Sequence, residues 1–250
     1  MQATAERILE SEAEHQGTDL GQLLRGYRFS VCEGPDAAAR ALDVRRRVYV
    51  EGVGYNIPVP DDYDRRSWFL LAEDVGTGQA VGSMRLTPRF AGSLEAEEYF
   101  SLPVALRSPR SVEISRFAIL PAYRKGKTFL PVVSVGLFKL GIAFLRPRTD
   151  DVVISSKPER VWTYEWLCFR RTGLVTTYTK LNNTEHELLS LDFRHLARTY
   201  AGHPFADLLI GPPCPEVVVP RRAPALGLGV RPVAKELRLS VAPSAASCAP

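Results

Sequence analysis

Residues 112–146 read VEISRFAIL, then PAYRKGK, then TFLPVVSVGLFKLGIAFLR. The first segment is rich in β-branched and aromatic side chains, the composition of a strand. The last is a near-continuous apolar run long enough for a helix, with Pro131 in its first turn, where a missing N–H costs little. Between them, Arg124, Lys125 and Lys127 surround Gly126, where the free N–H groups of the helix start must lie. A basic, glycine-containing loop at a helix N-terminus is a place to hold phosphate. An ordinary strand–helix connection with solvated Lys and Arg would look the same, so the reading depends on the residues to either side.

Upstream, Trp68–Glu73 and Ala80–Thr87 form a hairpin around the turn residues 74–78. Arg85 falls in the middle of its second strand, so it must be largely buried, and a buried guanidinium needs a carboxylate partner or an anionic ligand. Earlier still, Tyr27–Glu33 alternates as a strand, and Gly34-Pro35 opens a helix with Ala37, Ala41, Val44 and Val48 as its apolar stripe. Arg45 and Tyr49, one turn apart, flank that stripe. The stretch EGVGYNIPVPDDYDRRS (51–67) holds too many Gly and Pro for regular structure. It carries Tyr55 and the acidic residues Asp61, Asp62 and Asp64. Ser93–Phe100 reads as a short acidic helix with Glu95, Glu97 and Glu98. Downstream, Asp151–Ser155 is a strand, Pro158–Arg171 a helix stopped by Gly173, and Leu174–Lys180 and Glu187–Phe193 two further strands. The alternation of strands and helices predicts an α/β fold.

The chain has 250 residues, enough for one large core or two small ones. Its net charge of +4 arises after residue 216, where five basic residues face Glu236; the preceding chain is neutral, which excludes nucleic-acid binding by bulk charge. Cys32, Cys168, Cys214 and Cys248 are too widely spaced for a disulfide framework or a zinc site and read as thiols of a reducing, cytoplasmic compartment. No metal site is expected. The first residues, MQATAERILESEAEH, are acidic and amphipathic, unlike a signal peptide. Lys139 interrupts the apolar helix, so it reads as a core helix rather than a membrane span. The expected organisation is an N-terminal helix (1–25), a catalytic-type α/β domain (26–210), and a Pro/Ala-rich, flexible basic tail (211–250). Such a tail suits a solvated linker, with weak contact to a membrane surface as the functional alternative.

Taken in order, these residues carry a resemblance. The chain resembles the acyl-homoserine-lactone synthases and the related long-chain N-acyl amino acid synthases of the GNAT acyltransferase superfamily. That pattern runs through an Arg and an aromatic on one helix, a second aromatic, D-x-x-D, R-L on a strand and E-x-x-R-F on the central strand. Here it reads Arg45, Tyr49, Tyr55, Asp61, Asp64, Arg85-Leu86 and Glu113-Ile-Ser-Arg116-Phe117, over roughly residues 40 to 145. The resemblance implies a GNAT-like fold, a central mixed sheet with a splayed middle strand flanked by helices. It also implies transfer of a long acyl group to the α-amine of an amino acid.

Two departures refine the expectation. The usual acyl-CoA loop, Q/R-x-x-G-x-G/A, would place Tyr123 and Thr128 at its first and last positions, so the loop is degenerate for a CoA pyrophosphate. The resemblance then implies an acyl carrier protein as donor, its 4'-phosphopantetheine thioester a co-substrate, with no tightly bound cofactor. Arg124, Lys125, Gly126 and Lys127 would meet that acidic partner. Tyr55 stands where lactone synthases usually have Trp, and a tyrosine there fits the amino acid branch at least as well.

Amine attack on a thioester needs a base, because an α-amino group has a pKa near 8. Glu113 is the first candidate, with Asp61 and Asp64 behind it. The tetrahedral oxyanion would meet backbone N–H groups near Phe117 and Ala118, exposed by a bulge. Arg85 or Arg116 would bind the acceptor's carboxylate, or would instead join Glu113, Asp61 and Asp64 in an internal ion-pair network. No Ser–His or Cys–His pairing is visible, in keeping with direct transfer. Two alternatives stay open: a lactone synthase using S-adenosylmethionine, and a non-catalytic domain that binds acyl carrier protein.

Overall fold

β-branched and aromatic segments fill eight strands: β1 (Tyr27–Val31), β2 (Trp68–Asp74), β3 (Ala80–Pro88), β4 (Ser111–Ile119), β5 (Asp151–Ser156), β6 (Arg170–Tyr178), β7 (Thr184–Asp192) and β8 (Val217–Val218). In this computed structural model, which describes residues 22, 24–124 and 130–227, they make one open sheet in the order β6-β7-β5-β4-β3-β2-β1-β8. Pairing is antiparallel except between β4 and β5 and between β1 and β8. The fold is mixed α/β, with an open sheet flanked by helices.

Helix α1 (Pro35–Arg45) covers one face of the hairpin half of the sheet through Ala38, Ala41 and Leu42, which pack on Phe69 and Leu71. It runs on into a wider turn over Arg46–Gly52, closed by the Val53 N–H to the Val48 carbonyl at 3.1 Å. Helix α2 (Val132–Leu145) covers the other face and is buried nearly all round, as its unbroken apolar run implies. Pro131 caps this helix rather than entering it. The approach is close: a Cβ on Gly136 would lie 2.0 Å from Cζ of Phe29 on β1, and one on Gly82 of β3 2.6 Å from Val133. Lys139 sits in this core with its ammonium bonded to the carbonyls of Leu208 and Pro212.

The middle of the sheet splits. β4 pairs β5 only from Ser111↔Asp151 to Ile114↔Ile154, although both strands continue. On its other side β4 carries an extra residue, since Ser83 faces Ala118 while Arg85 faces Ser115. Arg116 takes a left-handed conformation there, with φ 52°. A bulge of this kind bends a strand and ends its pairing. β4 and β5 thus part beyond Ile114, and the cavity described below lies between them.

Three expectations change. The stretch read as one helix, Pro158–Arg171, is a short turn (Pro158–Arg160) and a helix α3 (Val161–Trp166); Arg170 and Arg171 already belong to β6. Gly173, with φ 76°, lies at the register shift between β6 and β7 instead of stopping a helix. The sequence from 211 was read as tail, yet residues up to 227 lie along the sheet. Val217 is buried, the Phe29 N–H donates to the Glu216 carbonyl at 2.7 Å, and Trp68 Nε1 donates to the Pro224 carbonyl at 2.9 Å. An unpaired β1 edge and a partnerless indole N–H are reasons for the chain to stay there. The expected N-terminal helix within residues 1–20, the tail beyond 227 and the loop residues Lys125, Gly126 and Lys127 lie outside the described residues. Among the described residues, no helix is long and apolar enough to cross a membrane.

Candidate active site

The loop before β2 is built by its acids. Asp61 accepts from the Tyr63 N–H at 3.0 Å while Asp64 accepts from the Asp61 N–H at 2.6 Å, a reciprocal cap that starts the turn Asp62–Arg66. The same carboxylates then face arginines. Arg45 from α1 makes a two-pronged pair with Asp64, and both are almost wholly buried. Arg85 bonds Asp61 and, at 3.3 Å, Asp64 through one nitrogen, Glu95 through another, and the Ser115 hydroxyl through Nε at 3.0 Å. Arg116 bonds Asp61 at 3.2 Å and Glu95 at 2.6 Å. Three guanidiniums are therefore matched by three carboxylates.

Glu113 is the fourth carboxyl, and it has no cation left to itself. It is 1% exposed, and Oε2 accepts one hydrogen bond, from the Ala96 N–H at 3.2 Å. Burial and then the charge of Glu95 push its pKa up to about 7, against the pull of Arg85 and Arg116. Burial would also raise Asp61, but Arg85, Arg116 and Arg45 outweigh it and hold that carboxyl below its ordinary range. The two kinds of acid are thus driven apart, and Glu113 is the one poised to exchange a proton near neutrality.

Two adjoining chambers open beside this network. The smaller, of about 180 Å³, lies in the split between β4 and β5; Glu95, Glu113, Arg116, Lys157, Tyr178 and His186 are among its walls. The larger, of about 540 Å³, has no carboxylate among the described residues that line it and is bounded by Val48, Val53, Ile119, Leu130 and Trp162, with Arg124 also among its walls. Tyr49, Tyr55, Phe117, Arg160 and Tyr164 border both. The Tyr49 hydroxyl donates to the Phe117 carbonyl at 2.7 Å and so pins the bulge between the chambers. His186 Nδ1 lies 3.1 Å from the Thr184 carbonyl, which can only accept, so that nitrogen carries the proton and Nε2 is left as an acceptor. Burial lowers the pKa of this imidazole and keeps it neutral.

The residues singled out in the sequence separate into two groups. Glu113, Arg116, Phe117, Tyr49 and Tyr55 line the small chamber. Arg45, Arg85, Asp61 and Asp64 stand behind its wall, occupied with one another. Ala118 pairs with Ser83 and packs its side chain among Val44, Val48 and Leu120. Arg124 donates to the Ile119 carbonyl at 2.8 Å and borders the large chamber. Sequence reasoning missed Glu95, Lys157, Arg160, Tyr164, Tyr178 and His186. Glu95 had a usable signal: buried arginines call for as many acids, and an acidic turn followed β3. Tyr178 and His186 had none, because only the β6–β7 pairing brings them together.

The family model described as N-acyl amino acid synthase FeeM matches residues 40–192, about three-fifths of the chain. No curated protein sequence matches. The solved structure of FeeM, an N-acyl amino acid synthase from uncultured soil microbes, superimposes with a TM-score of 0.60 at 18% identity, over 70% of this chain and 96% of that one. BjaI, a CoA-dependent acyl-homoserine lactone synthase solved with SAM and isopentyl-CoA, gives 0.58 at 19% identity, over 81% of this chain and 97% of that one. A putative N-acetyltransferase from Lactobacillus plantarum gives 0.51 at 14% identity, over 67% and 99%. At these identities the solved structures speak for a shared GNAT-like fold.

Proposed function

The chain belongs to the N-acyl amino acid synthase FeeM family of acyltransferases, and we propose that it moves a long-chain acyl group from the thioester of an acyl carrier protein to the α-amine of an amino acid. The observation that carries this reading is the pairing of Glu113, held near neutral pKa in the smaller chamber, with a larger, carboxylate-free chamber across the β4 bulge. The amino acid enters the small chamber, its carboxylate toward Arg116, Arg160 and Lys157. At neutral pH its amine is mostly protonated, since the reference pKa is near 8. Glu113 takes that proton. The nitrogen then attacks the thioester carbon directly, and the oxyanion is met by N–H groups at the bulge near Phe117 and Ala118. Collapse breaks the C–S bond and forms the amide; the proton that the attacking nitrogen sheds goes to the departing thiolate, which leaves as the pantetheine thiol, and the proton held by Glu113 passes to solvent. The pantetheine arm and acyl chain lie in the large chamber, and Arg124 with the basic loop beyond it meets the phosphate and the acidic carrier. A carrier-protein donor goes with a cytoplasmic location.

A second reading has support in the coverage of BjaI: lactone formation from S-adenosylmethionine with a CoA thioester. One experiment separates them. Purified protein is given acyl carrier protein or CoA thioesters of several lengths with an amino acid panel or S-adenosylmethionine, and products are read by mass spectrometry. An N-acyl amino acid formed from the carrier thioester is expected. Release of methylthioadenosine with a lactone product would move the assignment to the second reading, and CoA preference would overturn the donor.

A further inference from the structure

Tyr178, on β6, is 2% exposed, and its hydroxyl has no hydrogen-bond partner among the described residues. Ser155 lies beside it but outside hydrogen-bonding geometry. Buried hydroxyls are almost always partnered, so an orphan in a binding chamber calls for an explanation. The ring cannot swing to find one, because it is stacked on Tyr99 at 4.0 Å and 18° and packs against Phe100 and His186. Tyr178 lines the small chamber, as Glu113 does. Glu113 also has an open position: Oε2 is engaged by Ala96, while Oε1 has no hydrogen bond among the described residues. The chamber thus presents two unspent hydrogen-bonding groups, a carboxylate oxygen and a rigid phenol, each within the other's field.

We infer that Tyr178 positions the acceptor's amino group, its hydroxyl oxygen accepting one N–H while Glu113 takes another. This rests on the amide-forming reading above. A primary amine held by two of its hydrogens on two fixed groups keeps its lone pair in one direction, which orients it for attack. The phenol stays protonated, since burial and then the charge of Glu113 push its pKa up. Its O–H thereby remains free to donate to the Glu113 side, and its oxygen to accept from the amine. The ligand class is therefore a primary α-amine, with secondary amines disfavoured for want of the second N–H.

The test is Tyr178→Phe in the full chain, with the amino acid that the wild type acylates best. The expected result is a loss of about tenfold or more in kcat/KM for the amino acid, the size of a hydrogen bond to a charged group. The thioester KM should not change, and the melting temperature should stay level or rise, because the change removes an orphan hydroxyl. The wild type's preference for the primary amine over its N-methyl derivative should shrink in the variant. Unchanged kcat/KM for the amino acid overturns the inference, as does a joint fall in melting temperature and in both substrates' parameters. If the wild type itself acylates no amino acid, the proposed function fails and takes this inference with it. Turnover by the wild type with an indifferent Tyr178→Phe removes the inference alone.

Discussion

At the scale of single residues, the site is governed by a charge balance. Arg45, Arg85 and Arg116 are matched by Asp61, Asp64 and Glu95, and Glu113 is surplus. Its folded pKa of about 7 stands above the ordinary 4.5. Below the lower value the group is neutral in both folded and unfolded states and costs nothing. Stability is lost as pH climbs from the lower value to the folded one, because the unfolded state has shed the proton that the folded state still holds; above the folded value the charge is buried and the loss is complete. Glu113→Gln is therefore expected to melt above the wild type at about pH 8, by on the order of 3 kcal/mol, and level with it near about pH 4. The same variant should lose at least about 100-fold in kcat. Arg85→Ala reverses the imbalance, leaving Asp61, Asp64 and Glu95 short of a cation in a dry site. It should cost about 3–5 kcal/mol in denaturant unfolding. Arg85 could be read from sequence as a buried charge in want of acids, and the structure supplies the acids. Which acid stays free for chemistry could not, because that depends on the count of partners in space.

At the scale of elements, α2 is held to the sheet by the absence of two side chains. Gly136→Ala would drive a methyl into Phe29 and should destabilise by about 1–3 kcal/mol or more, read by thermal melting. The strands were largely legible because each carries alternation or a run of β-branched residues between turn residues. The segment 158–171 was misread because its aromatic residues fit a helix as well as a strand, and Gly173 signals a bulge as readily as a stop. The acidic turn at Glu95–Glu98 is too short to show any period, so only the demand of the buried arginines for acids could have pointed to it. The β4 bulge was expected from the resemblance. Its residues, Ser115 to Phe117, carry no glycine that would announce it.

At the scale of the whole molecule, the split sheet sets the pH response. The acid limb of kcat/KM should follow Glu113, rising with pH to a plateau past an apparent value of about 7. A limb near the ordinary carboxylate range would remove Glu113 from the role of base. The residues past 211 matter to the whole fold in a way their composition did not reveal, since Pro212 accepts from Lys139 and Glu216 from Phe29. Burial already pushes the Lys139 ammonium down.

The two borders of the sheet also bear on how copies of the chain meet. β6 presents exposed Arg170 and Arg171 and an irregular register around Gly173, features that discourage another strand from docking. β1 has no such protection of its own; the short β8 occupies it. A chain ended at residue 211 would bare β1 as a template for intermolecular pairing. It should show rising light scattering on warming at temperatures where the full chain stays dispersed. On that outcome the proline-rich stretch at 211–227 is a built-in guard against self-association.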